Sequence, residues 1–150
     1  MGKLEEIVNT TVFQAILDNL QADTTLTGYL GGAYIFRAKA VAPSQIPSVT
    51  LQTNNEKSDK RPGYNSSKHR DANPTIQIDV WVSDQHEGMP CTGEDADIIA
   101  NRIDSTILHP TTAITGTYGW SKTTESQQHE DDTGIWHNAL RYSFLYTVTD

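Results

Sequence analysis

Cysteine is almost missing from this chain of 150 residues: Cys91 stands alone, so no internal disulfide can form. A reducing, cytosolic setting is the natural expectation. A lone thiol attacks only when a base activates it, and His86 in the stretch HEGMPC is the one nearby in sequence. Filling space is the plainer role for Cys91. Long apolar runs are missing too, for nothing approaches the ~18 consecutive apolar residues of a membrane-spanning helix. The opening Met1-Gly-Lys-Leu-Glu-Glu lacks the basic-then-apolar order of a signal peptide, so the chain is expected to work where it is made. Phosphate-loop and dinucleotide patterns are absent, since Gly31-Gly32 comes after a helical stretch and before an extended one. There is no Gly-x-Ser-x-Gly elbow and no helical His-x-x-x-His pair. Cations are scarce: 11 Lys and Arg against 19 Asp and Glu leave a net charge of −8. A chain this acidic is a poor partner for a polyanion unless its cations are segregated.

They are partly segregated. Lys57, Lys60, Arg61, Lys68 and Arg70 fall in the polar stretch NNEKSDKRPGYNSSKHRDAN, which spans 54–73. Glu56, Asp59 and Asp71 reduce the surplus there to two positive charges. Twenty residues with no apolar pattern is long for a loop inside a compact domain, and such loops are usually functional or disordered.

The remaining chain is patterned. Leu4, Val8, Val12, Ala15, Ile16 and Leu20 recur at helical steps, widened by Ile7, Phe13 and Leu17, which predicts an amphipathic helix over 4–20. A turn with a cap at Asp23-Thr-Thr-Leu follows, anchored by Leu26, Tyr29 and Leu30 and stopped by Gly31-Gly32. Short strands are expected over 33–37 and 48–53, with a Pro-framed loop between them. The clearest strand is 75–82, where Ile76, Ile78, Val80 and Val82 alternate with Gln77, Asp79 and Trp81. Thr92 and Asp95 form a capping-box pattern before the stripe Ala96, Ile99, Ile103 and Ile107. A fourth strand is expected over 115–125 and a closing strand over 135–148. In the latter Trp136, Leu140, Tyr142, Phe144, Tyr146 and Val148 share a face with Asn138, opposite Arg141, Ser143 and Thr147. The order predicts one α+β domain: a mostly antiparallel sheet of four to five strands with two main helices packed on one face.

The strongest hint of chemistry is HEDD at 129–132. Paired carboxylates do acid and base work only where burial separates their pKa values. Here Ser126-Gln-Gln precedes them and Thr133-Gly134 follows, which is the composition of an exposed hairpin turn. His129, Asp131 and His137 would have to meet across that hairpin to hold a metal for hydrolysis, and no zinc-site spacing supports them. The basic stretch has three readings. It can be a solvated loop; it can touch nucleic acid, with Tyr64 stacking on a base; or Lys57, Lys60, Arg61, Tyr64, Lys68 and Arg70 can form an interface with a partner subunit, since cations on a net-acidic protein suit another copy of it. The last is preferred over nucleic acid.

With the elements in place, IQIDVWV (76–82), GEDADIIANRID (93–104) and EDDTGIWHNALRYSFLYTV (130–148) resemble the tail terminator, or tail completion, proteins of long-tailed bacteriophages. Asp131, Asp132, Gly134 and Trp136 carry the most family-like turn and strand, and VFQAILDNL followed by IPSVTL fits the start. The resemblance implies a non-enzymatic virion protein of the tail-neck region, assembled in the host cytoplasm, with no cofactor and no membrane. It implies a ring, usually of six copies, that caps the tail tube, ends tube polymerisation and offers a surface to the head connector. Its partners would be further copies of itself, the tail tube protein and the head connector or neck protein. DNA would pass through the lumen without specific binding, which suits an acidic surface. The rivals are another head-tail neck, connector or head-completion protein, a small metal-dependent hydrolase, and a regulatory binding module using the basic loop.

Overall fold

The computed structural model describes residues 2–37, 46–54, 69–72, 74–85, 88, 90–110, 113, 114 and 116–149. The first helix, α1 (Gly2–Ala22), buries Val12, Phe13, Ile16, Leu17 and Leu20, the three- and four-residue steps of its stripe. Thr10 and Thr11 do not interrupt it, because tertiary burial outweighs a weak local propensity. Asp23 then does more than turn the chain. Its backbone is extended (φ −76°, ψ 102°), and its carboxylate accepts from the amides of Thr25 and Leu26, starting a second helix, α2 (Thr24–Leu30). Gly31 at φ 76° ends that helix in the left-handed region. The turn expected here is therefore a short helix, and of its three apolar anchors Tyr29 is 40% exposed while Leu26 and Leu30 are buried.

The described strands are β1 (Ile35–Arg37), β2 (Ser48–Asn54), β3 (His69–Ala72), β4 (Thr75–Ser83), β5 (Thr117–Glu130) and β6 (Ile135–Thr149), with helix α3 (Gly93–Leu108) between β4 and β5. β1 runs parallel to β2 and the other described pairings are antiparallel, so the sheet is mixed. β3 and β4 lie on the same edge of β6 in one common register, Ala72 opposite Tyr146 and Thr75 opposite Ser143. Pro74 lies in the break between them; it has no N–H to give, but its carbonyl accepts from the amide of Phe144 at 3.3 Å. The six described strands thus fill five positions, in the order β1, β2, β4 with β3, β6, β5. The end of the stretch expected to be polar loop is strand β3, and the fourth strand runs on through His129 and Glu130.

One face of the sheet is apolar. Val49, Leu51, Ile76, Ile78, Val80, Val82, Leu140, Tyr142 and Phe144 are buried in one cluster with the inner stripes of the helices. The chain is an α+β domain with its helices on that face, as the alternation in β4 and β6 dictates. α3 begins with a complete capping box: Thr92 Oγ1 accepts from the Asp95 amide, and Asp95 accepts from the Thr92 amide. A further bond to the carboxylate from the Cys91 amide, with those of Thr92, holds Asp95 below the usual carboxylate range. Among the described residues no helix is long and apolar enough to cross a membrane.

The helices are tied together by a residue already in use. Arg102 Nε and Nη2 donate to the two oxygens of Asp23 at 2.9 and 3.0 Å, and Thr106 Oγ1 adds a bond of 2.6 Å. Burial works against ionisation of Asp23, but these bonds and that of the Leu26 amide together hold its pKa down. One carboxylate therefore caps α2 and fastens α3. Asp23→Ala is expected to cost about 1–2 kcal/mol, the value of a helix cap. Urea unfolding tests this: the midpoint should fall at unchanged slope, and an unmoved midpoint would refute the double role.

Candidate functional site

The hairpin between β5 and β6 is where the acidic motif resolves. Residues 131–134 form the tight turn, closed by the Gly134 amide donating to the Glu130 carbonyl at 2.8 Å. Gly134 has φ 69°, a conformation that a side chain would strain. Its carbonyl in turn accepts from the Asp84 amide at 2.8 Å, which docks the hairpin tip on the chain leaving β4.

Asp84 is the hub of this contact. Its Oδ1 accepts from Trp136 Nε1 at 2.6 Å, and its Oδ2 lies 2.8 Å from His129 Nε2. The other ring nitrogen of His129, Nδ1, lies 3.0 Å from Asp131. Only a protonated imidazole donates at both ends, so the arrangement favours the cation. The Asp84 bond is the largest influence raising the His129 pKa, with Asp131 adding to it against a smaller effect of burial. His129 correspondingly holds Asp84 below the usual carboxylate range, helped by Trp136. The Trp136 ring, 4.3 Å from that of His129, packs over the first turn of α3. A Cβ on Gly93 would stand 2.8 and 2.9 Å from two of its ring carbons, so glycine is required there for close approach.

A second polar group lies between α3 and the sheet. Gln127 Nε2 is 2.9 Å from Asn138 Oδ1 and 2.9 Å from the Gly93 carbonyl, while Asn138 Nδ2 donates to Asp97 at 2.9 Å. Lys122 bridges Asp104 at 2.7 Å and Glu125 at 2.8 Å. Burial opposes charge on Lys122, yet the two acids outweigh it and raise its pKa. The Tyr142 hydroxyl donates to Asp104, and burial first, then that carboxylate, pushes its pKa far up.

The face of the sheet away from the helices is polar. Asp79, only 4% exposed, accepts from Gln77 Nε2 at 2.9 Å and lies 2.7 Å from His137 Nε2. His137 stacks flat on Trp81 at 4.0 Å, and Trp81 Nε1 donates to Thr50 Oγ1. This separates the histidines of the hydrolase reading. His129 packs with Trp136 on the helix side and His137 lies with Trp81 and Asp79 on the opposite side, so His129, Asp131 and His137 do not converge. Among the described residues no group of three His, Cys, Asp or Glu is placed to hold a metal ion.

Of the sequence-based candidates, Asp131, Asp132 and Gly134 form the turn, and Trp136 anchors it. Lys57, Lys60, Arg61, Tyr64 and Lys68 lie outside the described residues. Arg70 is in β3, opposite Val148. Sequence reasoning missed Asp84 as the hub; its only signal was an acid just past a strand, which many loops share.

No family model matches this chain, and neither does any curated protein. Among solved structures, a chain of the virion of a native gene transfer agent particle has the same fold, with a TM-score of 0.64 at 15% identity. The match covers 88% of this chain and 91% of that one.

The hairpin lock has a definite pH window. Because the His129 pKa is raised on folding, its contribution is complete below the ordinary histidine value of about 6.5 and is lost as pH climbs through the raised value. Asp84, with its pKa lowered, contributes above the ordinary carboxylate value and fails as pH falls through the lowered one. An NMR titration should place the His129 midpoint above about 6.5, with the Trp136 indole signal moving in step. Asp84→Asn should bring the midpoint back down; a wild-type midpoint at or below the ordinary value would refute the lock.

Proposed function

We propose that this chain is a structural protein of a phage-type virion: a tail terminator that closes into a ring on the end of the tail tube, stops tube growth and presents a surface to the head connector. The observation that carries the reading is the fold shared, over nearly the whole of both chains, with a component of a gene transfer agent virion. The acidic turn, Gly134 and Trp136 support the finer assignment through their resemblance to tail terminators. A ring needs heterologous contacts between two different surfaces of one subunit. A single α+β domain with a long polar sheet edge at one end suits that need. The surplus of acid over base suits a lumen through which DNA slides without sticking.

The mass of the purified protein, measured by light scattering on a sizing column at several concentrations, is the first test. A species near six times 16.6 kDa is the expected outcome. Tail tubes lacking their cap should bind the protein at one end and stop growing. A chain that stays monomeric and ignores tubes, but is found on purified capsids, would transfer the assignment to another neck or head-completion protein.

A further inference from the structure

Strand β5 is an edge, and an unusually open one. It pairs with β6 alone among the described strands, and no other described strand lies against the far side of its Thr124–Glu130 stretch. Proteins protect such edges with proline, with lysine, with bulges or by keeping them short. At the opposite edge β1 is only three residues long, so it is protected by brevity. β5 spans 14 residues and contains no proline. Its one lysine, Lys122, is taken up by Asp104 and Glu125. Both of its register irregularities lie before Thr124.

From Thr124 to Glu130 the ladder to β6 is unbroken, and all seven residues are exposed. At ~3.4 Å per residue this is a straight run of about 24 Å, enough for an added strand. Thr124, Ser126 and Gln128 share the side of the sheet away from the helices, being opposite Arg141, Ala139 and His137. They are short or uncharged and do not obstruct pairing. Of the acids along the run, Glu125 is paired with Lys122 and Asp131 with His129, so the acidic charge is concentrated at its turn end, in Glu130 and Asp132. The single titratable base within the run, His129, is already held by Asp84 and Asp131.

We propose that the free edge of β5, Thr124–Glu130, is a docking edge that takes an extended segment from a second copy of this chain by strand addition. The occupant is argued from charge. An acidic edge calls for a cationic strand, and this net-acidic chain concentrates four cations and one acid at 57–68. Edge-to-segment pairing is heterologous, joining one surface of a subunit to a different surface of the next, as ring closure requires. The inference rests on the assembly reading above and adds the surface through which it works.

Hydrogen exchange on the full chain, at dilute and concentrated protein, combined with light scattering, is the test. Wild type should self-associate, gain amide protection across 124–130 and lose it as salt is raised. Ser126→Lys with Gln128→Lys places the edge-blocking residue at two exposed positions, and the thermal melt should stay where it was. Self-association should weaken about tenfold or more, and Lys60→Glu with Arg61→Glu should act in the same direction. Association that survives both pairs of changes, with no protection at 124–130, would overturn the docking edge and leave the ring reading intact. Protection at 124–130 only on added tail tubes would overturn the second copy as occupant. A chain that neither associates nor binds tubes would end both proposals.

Discussion

Strand β6 is hydrogen-bonded along both of its edges, to β4 and β3 on one side and to β5 on the other. Its register therefore sets the position of the other layers. A slip of one residue would turn Leu140, Tyr142 and Phe144 out of the core and bring Arg141 and Ser143 in. Burying each of those large side chains contributes about 1.5–3 kcal/mol of transfer free energy, so the slipped state is strongly disfavoured. The irregularities near Tyr118 and Lys122 absorb surplus residues of β5, leaving the β6 side of the ladder continuous. Pro74 interrupts the β3–β4 edge without shifting its register.

The buried face of β6 is not wholly apolar, and its polar members orient α3. Asn138 is fully buried, and both ends of its amide are occupied, by Gln127 on one side and Asp97 on the other. The Tyr142 hydroxyl lies among the core side chains and finds Asp104, which also meets Lys122. Leaving such a group unmade costs about 1–3 kcal/mol, so a helix rotated or slid along the sheet would lose these bonds as well as its apolar contacts. The apolar stripe brings α3 to the sheet; the polar contacts select one seating. Gly93 permits that seating by admitting the Trp136 ring against the start of the helix.

Much of this was readable in the sequence, because period and caps are local properties. The alternation of Ile76, Ile78, Val80 and Val82 defined β4 and its inner face, and Thr92 with Asp95 placed the start of α3 to the residue. What escaped were the features decided by partners distant along the chain. Asp23 read as a turn cap, yet its second oxygen serves Arg102, 79 residues away. Ser126 to Glu130 read as turn because polar residues dominate an edge strand exposed on nearly every side, and β6 alone makes them a strand. The same holds for His69 to Ala72, whose polar residues become β3 only by pairing beside Thr147 and Val148. HEDD read correctly as an exposed turn only in its last two residues, since His129 and Glu130 belong to the ladder.

The weak identity to the virion chain of the same fold, 15%, is intelligible in these terms. The constraints that produce this architecture are an alternation of apolar residues in β4 and β6, a helical stripe, two caps and a few glycines at forced geometries. Many residue choices satisfy each of them, so the fold persists while identities drift. Assembly is under the opposite constraint, because a subunit contact must match one particular surface in shape and charge. Under the assembly proposed above, the residues that make a subunit contact specific would belong on the polar face around Asp79, along the open side of β5 and in the cationic stretch. The core cannot carry that information, and the turn at Asp131 to Gly134 carries it only through the position it gives to the edge beside it.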